Sequence, residues 1–475
     1  MIGMIILSLA MAVAKIGQTL NQTKIVGYYE PRSNGVALKD IDVTKITHLL
    51  YAFATVYKDG TTTFSAPGTM DWNAWATTQV VDAGDNNCAC GNTCLKGYLN
   101  QLWEVKRNNP SLRTVLSIGG WAWSSNFSAV FKDQGARANM IKTATNMMTT
   151  YGFDGIDIDW EFPTSARADE PTYTFDPNDF ANLAVFLQEI RAYWKSQNLP
   201  DDMILSVAAP PQLQLLTAGK TILKQLNTYT SFVMVMSYEF QHNEEFNRLG
   251  APLYGAPDDS SDEKSKNIAT GISDYAGIDK SKLVMGIPLY ATGFTNFNPN
   301  TGNRSVMKCL GDTFNNGGKV LDPVDYKTIL TNVTGNSLNY GGYQYDPVRG
   351  TSSACNGTHF YSFDTVESVA QKTKYVKDQG LGGVMLWDLS QDFSEKDSAS
   401  KSIYVAVKTS MNAQPVSDRQ FTDICLQNSQ YCNLKCDYTP DKATANIKKA
   451  TAGSPAQMNT VATGSLVFVI SILMQ

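Results

Sequence analysis

Eight short runs of apolar, β-branched and aromatic residues recur along the 475-residue chain. KIVGYY begins at Lys24, HLLYAFA at His48, TVLSIGG at Thr114 and GIDIDWE at Gly155. ILSVAA begins at Ile204, FVMVMSY at Phe232, LVMGIPLY at Leu283 and GGVMLWD at Gly382. Most are near-continuously apolar, as strands of a parallel sheet covered on both faces should be. Helical periodicity fills several gaps between them. Residues 179–196 carry Phe180, Leu183, Phe186, Leu187 and Ile190 at three- and four-residue spacing, and residues 366–380 end on a C-capping Gly380. Eight strand–helix units predict an α/β chain folded as a (β/α)8 TIM barrel. An open doubly wound sheet is the alternative. It would bring a Gly-rich phosphate loop after an early strand, and the sequence has none.

Two gaps break the rhythm. A long loop with Cys88, Cys90 and Cys94 separates the second and third strands. Roughly ninety residues separate the seventh and eighth, far more than a crossover needs. That excess predicts a small inserted domain at the barrel mouth, over about residues 291–358 within a barrel of residues 24–409. Residues 410–440 read as a small appendage holding Cys425, Cys432 and Cys436, and residues 441–475 as a linker with a terminal signal.

Both ends point outside the cell. Residues 1–14, MIGMIILSLAMAVA, are apolar and close on an A-x-A pattern, which predicts a signal peptide. Near the other end an apolar tail, SLVFVISILM, follows small residues and a polar spacer, the layout of a GPI-anchor signal. Sequons at Asn21, Asn126, Asn303, Asn332 and Asn356 suit a secreted glycoprotein, and eight cysteines suit disulfides. Cys309 and Cys355 stand alone in one region and are expected to pair. No metal is expected. The only histidines, His48, His242 and His359, lie far from the cysteine triplets, whose spacing fits no structural zinc site. The net charge is only −5, and no basic stripe suggests nucleic acid.

The chemistry is concentrated in YGFDGIDIDWEFP, residues 151–163. Residues two apart on a strand share a face. Asp157, Asp159 and Glu161 therefore share one, and Ile156, Ile158 and Trp160 the other. In a barrel the apolar set suits the helix side, so the acids line the axis and rise toward the C-terminal mouth, where active sites of this fold lie. Burying three carboxylates together forces them to share protons. One member can then hold a proton near neutral pH, as a general acid must.

DGIDIDWE resembles the D-G-x-D-x-D-x-E signature of glycoside hydrolase family 18, the chitinase family. LSIGGW (116–121), YAFA (51–54), MSYE (236–239) and GGVMLWDL (382–389) resemble its third-, second-, sixth- and eighth-strand motifs. The resemblance spans about residues 24–409, and it implies that the inserted segment between strands 7 and 8 is an α+β insertion domain that deepens the groove. It implies a retaining, substrate-assisted chitinase that cleaves β-1,4 links between N-acetylglucosamine units without a cofactor. Glu161 would be the acid, Asp159 would orient the substrate acetamide, Asp157 would share a proton with Asp159, and Tyr238 would bond the acetamide oxygen. Trp387 would floor the sugar site, and Tyr28, Phe53, Trp121, Met236, Glu239, Tyr290 and Met385 would line it.

Two positions depart from the family pattern. Glu239 stands where an aspartate is usual, and Tyr290-Ala291-Thr292 stands for Tyr-x-Arg. A non-hydrolytic chitin-binding surface protein and an endo-β-N-acetylglucosaminidase acting on N-glycans are the alternative functions. The expected partners are chitin and its oligomers, for a monomer that touches the membrane only through a GPI anchor.

Overall fold

The structure, a computed structural model, describes residues 23–31, 36–64, 97–166, 173–213, 216, 218–240, 246–302, 307, 309–335 and 339–411. The expected leader, both cysteine triplets, the appendage, the linker and the apolar tail lie outside the described residues, as do Asn21, His242 and Asn303.

Strands β1 (Lys24–Tyr29) and β2 (His48–Val56) are followed by a short β3 (Thr62–Thr63) antiparallel to the end of β2. Then come β4 (Arg113–Gly119), β5 (Gly155–Asp159), β6 (Ile204–Ala209), β7 (Phe232–Val235) and β8 (Leu283–Pro288). A second group comprises β9 (Tyr290–Phe297), β10 (Phe314–Asp325), β11 (Gln344–Asp346), β12 (Thr351–Cys355) and β13 (His359–Phe363), before β14 (Gly383–Trp387) returns to the first. The parallel order β1-β14-β8-β7-β6-β5-β4-β2 is closed by β1 pairing with β2. This is the expected (β/α)8 TIM barrel. The second group forms an antiparallel sheet, β10-β9-β13-β12-β11, inserted between the last two barrel strands.

Alternation along the strands sorts the core into two layers. Val26, Leu50, Val115, Phe232, Met234, Val284 and Met385 pack inside the barrel. Ile25, Leu49, Leu116, Ile156, Ile158, Val233 and Val384 face the surrounding helices. Each such side chain contributes about 1.5–3 kcal/mol by leaving water. The helix Asp179–Ser196 turns Phe180, Leu183, Phe186, Leu187, Ile190 and Trp194 inward. Its first residue, buried Asp179, also ties down the loop after β5. Its carboxylate accepts from Ser128 Oγ (2.7 Å), Thr164 N (3.1 Å) and Asp176 N (3.0 Å).

Several predicted strands are shorter than the sequence suggests, GIDIDWE ending at Asp159. FVMVMSY leaves the ladder after Val235, because Ser237 N and Tyr238 N donate back to Val235 O and Met236 O, each at 2.8 Å. LVMGIPLY splits at Leu289, whose N–H donates to Trp387 O at 2.7 Å, and the chain starts β9 one residue later. The added sheet runs from Tyr290 to Phe363, slightly wider than the expected 291–358. Arg349, 2% exposed, pairs with Asp346 of β11 (2.6 Å) and fixes the sheet to the loop between β7 and β8 through Asp259 (2.6 Å) and Asp258 (2.5 Å). Cys309 and Cys355 form a disulfide with Cα atoms 6.2 Å apart, the pairing expected above. The Asn126 sequon turns its amide inward, donating to Val56 O at 2.9 Å. Among the described residues no helix is long and apolar enough to cross a membrane.

Candidate active site

The acid row occupies the barrel interior as its two-residue spacing requires. Ile156, Ile158 and Trp160 pack in the outer layer. Asp157 is fully buried, Asp159 is 3% exposed, and Glu161 emerges half-buried just past the strand. Asp154, the fourth acid of the motif, belongs to the opposite end of β5. Lys106 Nζ meets it at 2.6 Å and Arg113 at 3.7 Å, so it is a neutralised anchor outside the row.

Asp157 is caged by hydroxyls. Its Oδ2 accepts from Tyr28 OH (2.8 Å) and Ser117 Oγ (2.7 Å), and its Oδ1 accepts from Ser206 Oγ (2.7 Å). Register explains the cage, since Ser117 on β4 and Ser206 on β6 are both direct neighbours of Asp157 on β5. Burial pushes the Asp157 carboxyl up, and the three donors pull it back toward the ionised form. Asp159 has no such cage, and its buried Oδ1 meets no protein donor. Burial first, then the charges of Glu161 and Asp157, hold its carboxyl well above the usual carboxylate range. The row is therefore polarised: Asp157 is the better anion and Asp159 the better proton holder.

Two glycines let β4 close against this row. Gly119 and Gly120 have φ of 114° and 80°, and Gly120 N donates to Asp159 O at 2.7 Å. A Cβ at Gly119 would lie 2.0 Å from Asp159 O, and one at Gly120 would lie 2.7 Å from the Phe53 ring. Just beyond them, Ser124 Oγ accepts from Glu161 N at 2.9 Å and donates to Gly120 O at 2.9 Å. That pair fixes the backbone that carries Glu161.

Aromatic rings surround the acids. Tyr28 meets Trp387 edge-on at 5.2 Å between centroids, and Phe53 stacks on Trp387 at 5.5 Å. Phe53 faces inward because the β2–β4 register shifts between Ala52 and Ala54, leaving one extra residue in β2. The peptide bonds Ala52–Phe53 within β2, Glu161–Phe162 just past β5 and Trp387–Asp388 at the end of β14 are all cis. Tyr238, buried against the same lumen, lies edge-on to Tyr290 at 6.2 Å. Its ring occupies space left by Gly286, where a Cβ would lie 2.9 Å from Tyr238 Cε1. Tyr290 OH donates to Glu239 Oε1 at 2.7 Å, and Glu239 has a φ of 61°, uncommon for a non-glycine residue. Burial raises the Glu239 carboxyl, and the Tyr290 bond moderates the shift. Met236 and Met385 pack in the same inner layer.

The structure thus gathers Tyr28, Phe53, Asp157, Asp159, Glu161, Met236, Tyr238, Glu239, Tyr290, Met385 and Trp387 around one end of the barrel. Trp121 is half-buried in the turn after β4, but the ring packed on Phe53, at 5.8 Å, is Trp123 two residues on. Sequence reasoning missed Trp123, Ser124, Ser117 and Ser206. The two strand serines had a signal, a lone hydroxyl at an inward position of an otherwise apolar run. The other two sit in a turn whose geometry no periodicity encodes.

The model of the glycosyl hydrolases family 18 matches residues 24–392. Chitinase A1 of Niallia circulans is 30% identical over 406 residues, 78% of this chain and 56% of that protein, so the chain spans little more than half of that relative. Endochitinase 1 of Metarhizium robertsii is 29% identical over 408 residues, 83% of this chain and 85% of that protein. Among solved structures, chitinase ChiA74 from Bacillus thuringiensis superposes with a TM-score of 0.70, covering 84% of this chain and 71% of that one. Its identity is 24%, a likeness of fold. With the family match running through the whole closed barrel and its carboxylate row, the chain belongs to glycosyl hydrolases family 18, as a glycoside hydrolase of the chitinase kind.

Proposed function

We propose that the chain hydrolyses β-1,4 links between N-acetylglucosamine units of chitin with retention, using the substrate's own acetamide as nucleophile. The observation that carries this reading is the polarised row: an Asp159 carboxyl that holds its proton beside Glu161, with a buried oxygen that no protein donor reaches. Glu161 donates its proton to the glycosidic oxygen as the C1–O bond breaks. The acetamide carbonyl oxygen attacks C1, forming an oxazolinium ion. Asp159 takes the acetamide N–H on its free oxygen and steadies the positive charge, while Asp157, caged as an anion, keeps the second proton position on Asp159. Tyr238 OH bonds the acetamide oxygen. Water, deprotonated by the Glu161 carboxylate, then attacks C1 from the face the leaving group vacated, opposite the acetamide, which breaks the C1–oxazolinium bond and leaves a β-anomeric product. A neighbouring amide held at attack distance makes the step intramolecular. The two-carboxylate scheme of most glycosidases does not apply to this family.

Trp387 presents a flat face for the distorted sugar, backed by Tyr28 and Phe53. Trp121, Met236, Glu239, Tyr290 and Met385 complete the proposed sugar contacts. A secreted or cell-surface placement is supported by the leader-like residues 1–14, the GPI-like tail and the Cys309–Cys355 disulfide. Release of the protein from cells by phosphatidylinositol-specific phospholipase tests the anchor, and retention alongside a released control rejects it.

A time course on a chitin hexamer, comparing the parent with Glu161→Gln, tests the chemistry. The parent yields short β-anomeric oligomers, and the variant loses about 10²–10⁴-fold in turnover while still binding. Binding of the hexamer by both with turnover by neither rejects hydrolysis and leaves a chitin-binding protein. Equal activity of both rejects Glu161 as the acid.

A further inference from the structure

Thr292 and Thr351 are 6% and 0% exposed, and the hydroxyl oxygen of each is buried without a protein partner. Both open on one small chamber between the barrel rim and the added sheet, whose walls also include Tyr238, Glu239, Tyr290 and Ser362. Thr292 lies on β9 opposite Ser362 of β13, and Thr351 begins β12. Ser362 Oγ accepts from Gly250 N at 3.0 Å. Buried hydroxyls are almost always bonded, because the alternative forfeits their hydration for nothing. Two orphaned hydroxyls on residues that line the same space point to one shared guest.

The space sets the size of that guest. The chamber leaves about 10 Å³ in which a guest's centre can lie. A single water needs roughly 10–15 Å³ by that measure, together with two to four polar partners. The two threonines supply two partners, and the Glu239 carboxylate at the wall supplies a charged third. Glu239 Oε1 is taken by Tyr290 OH, which leaves the other carboxylate oxygen for the chamber. Among the described residues no lysine or arginine lies within ion-pair distance of Glu239. The titratable groups around it are Tyr290, bonded to it, and Tyr238, with Glu161 acting on both tyrosines and Asp159 and Asp388 on Tyr238.

We propose that Thr292 and Thr351 hold one ordered water in this chamber and through it fix the Glu239 carboxylate, acting as positioning residues for the wall of the sugar site. The water is the joint between the added sheet, which carries both threonines, and the loop after β7, which carries Glu239. The effect on turnover rests on Glu239 touching substrate. The water itself does not.

The test uses the double variant Thr292→Val, Thr351→Val, which keeps shape and removes both hydroxyls, with Thr292→Ser, Thr351→Ser as the conservative control. If the chamber is wet, the valine variant expels the water and Tm falls. Glu239 loses a donor that favours its ionised form, so the acid limb of kcat/KM moves to higher pH. A shift of about one unit is expected, seen as a roughly tenfold lower kcat/KM below the limb. The serine variant keeps the parent Tm and profile, and a high-resolution crystal structure of the parent shows density bonded to both threonines. If the chamber is dry, replacing two orphaned hydroxyls by methyls raises Tm and leaves the profile unmoved, which overturns the proposal. A lowered Tm with an unmoved limb overturns the link to Glu239. Tm and density answer even if the protein hydrolyses nothing, so failure of the chitinase reading is seen separately with Glu161→Gln.

Discussion

Tyr28→Phe removes one oxygen and tests how the row is polarised. The phenol donates to Asp157 Oδ2 at 2.8 Å, one of three hydroxyl bonds to that carboxylate. The ring remains in the variant, so its contacts with Trp387 (5.2 Å) and Phe53 (6.4 Å) are retained. A hydrogen bond to a charged group contributes about 1.5–3 kcal/mol, and each pKa unit corresponds to about 1.4 kcal/mol. Losing one donor therefore raises the Asp157 carboxyl by about one to two units. The sign is fixed: the bond favours the anion, so its loss favours the proton. In the proposed mechanism Asp157 must be an anion for Asp159 to keep its proton while it orients the acetamide. Activity then fails at a higher pH on the acid side. The acid limb of kcat/KM, measured on a chitin hexamer, should move up by about one to two units with little change at the alkaline plateau. Ser117→Ala and Ser206→Ala should move it the same way, since each removes a bond of 2.7 Å to the same carboxylate. A profile superimposable on the parent, or an acid limb displaced to lower pH, would refute the caged-anion argument.

Two further perturbations separate sugar binding from stability. Trp387→Ala removes the ring that stacks on Phe53 and meets Tyr28, and should weaken oligomer binding about 10- to 100-fold by isothermal titration, with Trp387→Phe intermediate. Asp392 is fully buried, and burial raises its carboxyl to about 6 against the donors Tyr404 N, Phe393 N and Ser402 Oγ. A raised folded pKa means that the folded state holds the proton more tightly. The associated stability is present below about pH 4 and is lost as pH rises through about 6, up to about 3 kcal/mol. Asp392→Asn should flatten that fall in denaturant midpoints measured between pH 4 and pH 7, and an unchanged slope would reject the assignment.

Much of the barrel was legible because its signals are local. Strand runs such as TVLSIGG and ILSVAA are apolar over their length, and the helix 179–196 repeats its apolar residues at the helical period. The inward face of Asp157 and Asp159 follows from the two-residue period and from the apolar character of Ile156 and Ile158, with no reference to any other strand. Strand ends were less legible. Met236 and Tyr238 continue an apolar run past Val235, yet their backbone turns back on itself to present Tyr238 beside Gly286. Hydrophobicity does not record which N–H a carbonyl accepts.

What the sequence hid is register, and register decides the chemistry. Asp157 and Asp159 are the same residue type two positions apart on one strand, both buried and both facing inward. Only their neighbours distinguish them. At the level of Asp157 the flanking strands supply Ser117 and Ser206, and β1 supplies Tyr28. At the level of Asp159 they supply Gly119 and Ala208, which donate nothing from a side chain. Three hydroxyls against none make one carboxyl the better anion and the other the better proton holder. Those contacts join residues 40 to 129 positions apart in sequence. The row of acids is therefore written in one strand, whereas the division of labour within it is written across four.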